Sequence, residues 1–221
     1  MSVMDIILRY REAFSAGLLV TVKLASIAWA VGLLCGILTG ILASRYKLWC
    51  GYPLRATSFT LAAVPPIVVL YWAHYPLQAA LEIVISPFIT ASAVLSLINV
   101  VVVAEITRTA LDGFRTEYSV AAQVSGMTRL ETLRFIELPL IGRQVAPSIL
   151  ASQVLILQST LFASLISVEE LFRVAQRVNS VVYKPIEIYS AIAVFFLIVC
   201  LPMYLLAYLL RRRFVRSLSE N

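Results

Sequence analysis

Charge is scarce in this chain of 221 residues. Asp, Glu, Lys and Arg make up 14% of it and hydrophobic types 61%, where a soluble domain runs nearer ~25% and ~45–50%. The apolar residues come in long runs, which points to a polytopic membrane protein. Histidine is almost missing: His74 stands alone, with no Cys or carboxylate cluster beside it, so it reads as a packed or interfacial residue and no metal site is expected. Cys35, Cys50 and Cys200 are scattered without metal or redox spacing and read as small apolar filler. The sequence has no glycine-rich phosphate loop ending in Gly-Lys-Ser or Gly-Lys-Thr, no nucleophile elbow and no zinc signature. Catalysis of a covalent reaction, including ATP hydrolysis, is therefore not expected of this chain. Met1 to Arg11 lacks the pattern of a secretory signal peptide, and the first apolar run is long enough to serve as the targeting signal itself.

What is present is a series of five candidate spans in a single all-α domain covering residues 1–221. A short amphipathic segment, Met1 to Glu12, suits a helix lying at the interface. The first span covers about Phe14 to Ala43 and carries Gly32, Gly36 and Gly40 on one face, a spacing that lets another helix approach closely. Lys23 lies one-third of the way in, where it can snorkel or face the protein interior. The second span covers about Thr57 to Tyr75 and is broken by Pro65-Pro66, as tolerated where a membrane helix is buried in protein or lines a cavity. The third, about Ile83 to Leu111, contains Asn99 and ends in Glu105 and Arg108, an i, i+3 pair suited to a structural ion pair. The fourth, about Val145 to Val168, contains the neutral polar residues Gln153, Gln158, Ser159 and Thr160. Glu169 to Glu187 reads as a polar loop, and the fifth span covers about Ile188 to Leu210.

With five spans the termini lie on opposite sides. Of the 18 Lys and Arg residues, twelve fall on the side that receives the C-terminus and five on the other, with Lys23 inside the first span. The positive-inside rule then puts the N-terminus outside and the C-terminus in the cytoplasm. The net charge of +6 reads as that bias, and no nucleic-acid partner is expected. Gradient-driven transport usually needs intramembrane carboxylates. The one candidate is Glu105, close to the span's end, and no second half repeats the first as in inverted-repeat transporters.

One polar interruption remains, Asp112 to Gln144, on the cytoplasmic side. It contains Ala121-Ala122-x-x-x-Gly126, then nine residues, then Ile136-x-Leu138-Pro139. This arrangement resembles the EAA motif of bacterial ABC importer permeases. The flanking stretches Ala104-Glu105-Ile106-Thr107-Arg108 and Thr160 to Leu171, closing on Glu170-Leu171, resemble the polar amino acid subfamily (histidine, glutamine and cystine permeases). Pro65 and the apolar run after it are similar to that family's second-span motif. The resemblance implies a type I importer permease in the bacterial inner membrane, paired with a second permease chain as a homo- or heterodimer. It also implies two ATPase subunits that carry the ATP and magnesium, with no cofactor on this chain, and an external solute-binding protein. The solute would be an amino acid or related small polar molecule.

Under this reading the loop forms a coupling helix that docks on the ATPase through Glu117, Val120, Ala121, Ala122, Gly126, Arg129 and Glu131, with Arg115 and Arg134 available to partner carboxylates. Gly126 can take the left-handed conformation that ends a helix, and Pro139 blocks helix continuation near Leu138. Asn99, Gln153, Gln158 and Ser159 are the candidates for the solute pathway, although Asn and Gln also commonly tie helices together. Three positions depart from the family pattern. Val120 replaces the motif's Glu, Ala62 replaces a usual Arg, and Gln158-Ser159 replaces a frequent Lys-Asp. A gradient-driven transporter or channel working alone, and a membrane scaffold that recruits a cytoplasmic partner, are the alternatives to the importer reading.

Overall fold

The computed structural model describes residues 3–114 and 116–219. Arg115 lies outside them. A short helix, α1 (Val3–Arg9), leads into the 35-residue α2 (Arg11–Arg45). A π-helical turn, Lys47–Gly51, starts α3 (Tyr52–Ala63), followed by α4 (Pro66–His74), α5 (Pro76–Ala80) and α6 (Pro87–Asp112). Then come α7 (Thr116–Val124), α8 (Arg129–Thr132), a second π-helical turn at Leu133–Glu137 and α9 (Leu138–Ser159). A 3-10 segment, Thr160–Ile166, precedes α10 (Leu171–Val182) and α11 (Pro185–Ser219). There is no strand among the described residues.

Four helical stretches are long and apolar enough to cross a membrane, and the bent pair 47–63 and 66–80 is a fifth candidate. The bend at Pro65-Pro66 is 97°. Pro66 lacks the N–H that would continue the ladder from α3, Val64 is extended (φ −106°, ψ 123°), and Pro66 then restarts the chain as the first residue of α4.

α2 and α6 form the central pair, and the three glycines make it possible. A Cβ on Gly36 would stand 2.7 Å from Val103 Cβ, and one on Gly40 would stand 2.6 Å from the Ala104 carbonyl oxygen. With only hydrogen there, the backbones meet closely enough for dispersion to hold them in lipid. Lys23 is exposed on the opposite side of α2. At the arginine-rich end, Asp112 of α6 accepts a hydrogen bond from Ser44 of α2 at 2.7 Å and lies 3.7 Å from Arg55 of α3. At the other end, Gln78 of α5 and His74 of α4 meet Thr90 of α6 at 3.0 and 3.3 Å. His74 is thus a half-buried packed residue.

Two elements differ from the sequence reading. Residues 169–187 are not a loop: α10 places Leu171, Val174, Ala175 and Val178 on one buried face, the spacing of an amphipathic helix. Pro139 does not stop the helix either. The chain is helical from Arg129 to Ser159, because the wide π turn at Leu133–Glu137 opens the ladder just where Pro139, at the second position of α9, withholds a donor.

Candidate functional site

The segment between α6 and α9 is built from two defined helix ends. α7 stops at Gly126, whose φ is +83°. Met127 N–H donates to the Ala122 carbonyl at 3.1 Å and Gly126 N–H to that of Gln123 at 3.0 Å, the two bonds of a Schellman termination. Nothing lies within 4 Å of the place a Gly126 Cβ would take, so the backbone angle, not crowding, calls for glycine. α8 then starts at Thr128, whose Oγ1 accepts from Glu131 N–H at 3.3 Å while the Glu131 carboxylate accepts from Thr128 N–H at 2.8 Å. This capping box holds the Glu131 carboxyl below the usual carboxylate range, chiefly through the backbone bond. The pattern Thr128-x-x-Glu131 carries that signal in the sequence, where Glu131 is read above as a docking residue alone.

These ends fix a surface. Glu117, Ala121, Gly126, Arg129 and Glu131 are exposed, whereas Ala122 turns inward at 3% exposure. Val120 is 57% exposed, Val124 84%, Leu130 74% and Phe135 64%, an apolar crest along α7, α8 and the π turn that the described residues leave uncovered. Arg134 stacks its guanidinium over Phe135, 5.7 Å from the ring centroid. Beside the crest a cavity of about 620 Å³ brings Arg45 from the end of α2 up to Gln123, Arg129, Leu130 and Glu137.

Inside the bundle, Asn99 of α6 and Gln153 of α9 face each other. Asn99 Nδ2 donates to Gln153 Oε1 at 2.9 Å and to the Ala28 carbonyl of α2 at 2.9 Å, and Gln153 Nε2 returns a bond to Asn99 Oδ1 at 3.2 Å. Trp29 Nε1 donates to the Gln153 carbonyl at 3.0 Å. Asn99 is fully buried and Gln153 5% exposed, so their polar atoms are spent on tying three helices together. Gln158 and Ser159, one turn further along α9, sit differently. Gln158 is exposed, and Ser159 is half-buried with its hydroxyl bonded to Leu155 O at 2.7 Å.

Glu105 and Arg108 pair on α6: Arg108 Nε donates to Glu105 at 3.0 Å, and its guanidinium reaches Asp112 at 2.6 Å. Arg108 is 6% exposed. Glu105 also edges a groove of about 530 Å³ under the bend between α3 and α4, where Ser58 is the other polar lining residue. The Ser58 hydroxyl is buried without a hydrogen-bond partner.

Glu170, named above only as part of the family pattern, is a buried carboxyl. Glu170 caps α10, accepting from Phe172 N–H at 2.9 Å and Arg173 N–H at 2.8 Å, and Leu171 N–H donates to Thr21 of α2 at 3.0 Å. Glu170 is fully buried. Burial pushes its carboxyl up to about 7, against the N–H bonds that favour the charged form. No ion pair to Glu170 occurs among the described residues.

The chain is similar in sequence and in fold to known proteins. The glutamine transport system permease protein of Escherichia coli (strain K12) is 29% identical over 198 residues, 89% of each chain. The octopine transport system permease protein of Rhizobium meliloti is 28% identical over 193 residues, 84% of this chain and 79% of that one. Among solved structures, an amino acid ABC transporter crystallised with histidines superposes with a TM-score of 0.82 at 23% identity, over 96% of this chain and 99% of its own. The inward-facing MetNI methionine ABC transporter gives 0.68 at 15% identity, over 95% and 97%. The family model for the inner membrane component of binding-protein-dependent transport systems covers residues 32–216, and the chain belongs to that family.

Proposed function

We propose that this chain is one of two permease chains of an ATP-driven importer, homo- or heteromeric, and that it carries an amino acid or a related small polar solute. Its membership of the family makes it an inner membrane component that works with a binding protein. The names of its relatives, glutamine and octopine permeases among them, support the solute class. The excess of arginine at the ends of α2, α6 and α11 supports an orientation with the C-terminus in the cytoplasm and the N-terminus outside. The loop over residues 112–144 then faces the ATPase pair, which supplies ATP and magnesium.

The observation that carries this reading is the apolar crest of Val120, Val124, Leu130 and Phe135, exposed on a segment whose helix ends are tightly specified. A hydrophobic surface on a rigid support is what a docking helix requires. Glu117, Ala121, Arg129 and Glu131 border it. Within the membrane, Gln158 and Ser159 and the groove beneath the Pro65-Pro66 bend are the pathway-side features, and Asn99 with Gln153 holds the helices that flank them.

Reconstitution tests the proposal. Proteoliposomes containing the permease chains and ATPase, supplied with binding protein, are expected to accumulate labelled amino acid only with ATP. Uptake of the same solute by the permease chains without ATPase would replace the importer reading with a gradient-driven one.

A further inference from the structure

Far from the crest, between α1, α2, α10 and α11, lies a groove of about 310 Å³, inside the size range of small-molecule sites. Its walls are Ile6, Phe14, Leu18, Leu171, Ile192 and Phe195. Ile6, Leu171 and Ile192 belong to the same buried cluster, so core packing of four elements shapes the groove. Its polar lining is Arg11, Ser15 and Glu187. Lys184 neutralises Glu187 at 2.9 Å. Arg11 is exposed and forms no ion pair among the described residues. The site is therefore an apolar slot with one uncompensated positive charge at its mouth.

Two surroundings identify the occupant. α1 turns Met4 and Leu8, 64% and 61% exposed, away from the bundle, as a helix lying in a lipid interface does. The outer face of α11 continues from the groove through Val194, Ile198, Leu201 and Leu205, all exposed, with no charged residue before Arg211. That is a lipid-facing surface running into the slot. The end in question is opposite the arginine-rich one, which makes it the outer leaflet; the name of the leaflet, and nothing else here, rests on the orientation proposed above.

We propose that the groove binds one phospholipid of that leaflet, its acyl chain between Phe14, Leu171 and Phe195 and its phosphate on Arg11. A guanidinium suits a phosphate through paired N–H donors, and each methylene removed from water adds to the affinity.

The test is native mass spectrometry of the chain purified with its partner subunits from vesicles of phosphatidylethanolamine and phosphatidylglycerol. After exchange into a delipidating detergent, the parent complex is expected to keep a phospholipid adduct on this chain. Arg11→Gln, at an exposed position that leaves the core untouched, should lower its retention at least fivefold. Ala191→Trp, which fills the groove, should abolish it. Equal retention in all three proteins overturns the proposal. So does an adduct that is a free fatty acid, or efficient cross-linking of Ser15→Cys to a second copy of the chain, which would mean that protein covers the groove. The readout is bound mass, so its failure leaves the importer reading standing.

Discussion

Asn99 and Gly32 are a matched pair. A Cβ on Gly32 would stand 2.6 Å from Asn99 Cβ and closer still to the amide itself. The glycine therefore opens the space in which Asn99 reaches Ala28 and Gln153. Gly32→Ala is expected to destabilise the protein by about 1–3 kcal/mol, the usual penalty of forcing extra volume into a packed core. Gly142 serves as the control: it is helical, a Cβ there meets nothing within 4 Å, and Gly142→Ala should be neutral or mildly stabilising. Thermal unfolding in one detergent distinguishes them, and equal midpoints for the two variants would show that the close approach at Gly32 relaxes at no cost. Asn99→Ala leaves Gln153 Oε1 without its donor in a dry interior, while Nε2 keeps Ser152 Oγ at 3.1 Å, and should cost about 1–2 kcal/mol. Adding Gln153→Ala should cost less than a second such step, since the two bonds are shared. Strict additivity would show that the two amides are energetically uncoupled despite their contact, which would weaken their role as a tie between helices and favour a pathway role.

At the scale of elements, the Glu170 cap fixes the first turn of α10, and α10 is held to α2 by the bond from Leu171 N–H to Thr21 and by the close approach of Val174 to Gly17. The Glu170 carboxyl is ordinary when α10 is released and raised to about 7 when it is docked. The docked form therefore binds the proton more tightly. Docking is strongest below about pH 4.5, weakens as pH rises towards 7, and is constant above it. The span of that change is at most about 3 kcal/mol. Hydrogen exchange of residues 171–178, corrected for its intrinsic pH dependence, should show less protection at pH 8 than at pH 5, and Glu170→Gln should flatten the profile. A profile that keeps its slope in Glu170→Gln would assign the effect to another group. α10 also marks the limit of what the sequence made legible. The four long apolar runs could be read directly, since twenty-odd apolar residues have few alternatives to spanning. Leu171, Val174, Ala175 and Val178 carried a helical period too, but among Arg173, Arg177 and Asn179 the mean polarity hid it. The 97° bend and the π turn before Pro139 are tertiary outcomes. Proline announces that the ladder breaks, and only packing decides whether the chain kinks, turns or widens. In the segment between α6 and α9, the left-handed Gly126 was legible because few residues other than glycine favour φ +83°, whereas the inward turn of Ala122 depends on the π turn packed against α7. The loop's termination makes a prediction of its own. Gly126→Ala should strain the end of α7 by about 1–2 kcal/mol, while Gly126→Asn should be tolerated better. ATPase-coupled uptake measured on both variants orders them, and equal impairment would mean that side-chain bulk at the partner surface, not backbone strain, governs the site.

Across the whole molecule, the chain separates a rigid interior from two faces left open. α2, α6 and α9 are locked by glycine contacts and the Asn99–Gln153 pair, and Arg108 and Asp112 close the bundle at the arginine-rich end. The outer faces of α2 and α11 are apolar and exposed, as faces turned to lipid are. A force applied at the α7–α8 loop reaches this interior through one continuous helical path, from Arg129 through the π turn into α9, where Gln153 meets Asn99. The loop is thus mechanically in series with the helix that carries Gln158 and Ser159. What the partner grips should be the crest and not the motif's missing carboxylate, since the residue at that position, Val120, is apolar and 57% exposed. Leu130→Asp and Phe135→Asp, both at largely exposed positions, should leave the unfolding temperature of the isolated chain within a degree or two and reduce co-purification of the ATPase at least tenfold, about 1.4 kcal/mol or more. Val120→Glu, which restores the charge, should change affinity much less, because an exposed ion pair contributes little, about 0–1 kcal/mol. A tenfold gain from Val120→Glu together with indifference to Leu130→Asp and Phe135→Asp would reverse the assignment and make the interface electrostatic, with Arg129 and Arg134 as its remaining anchors.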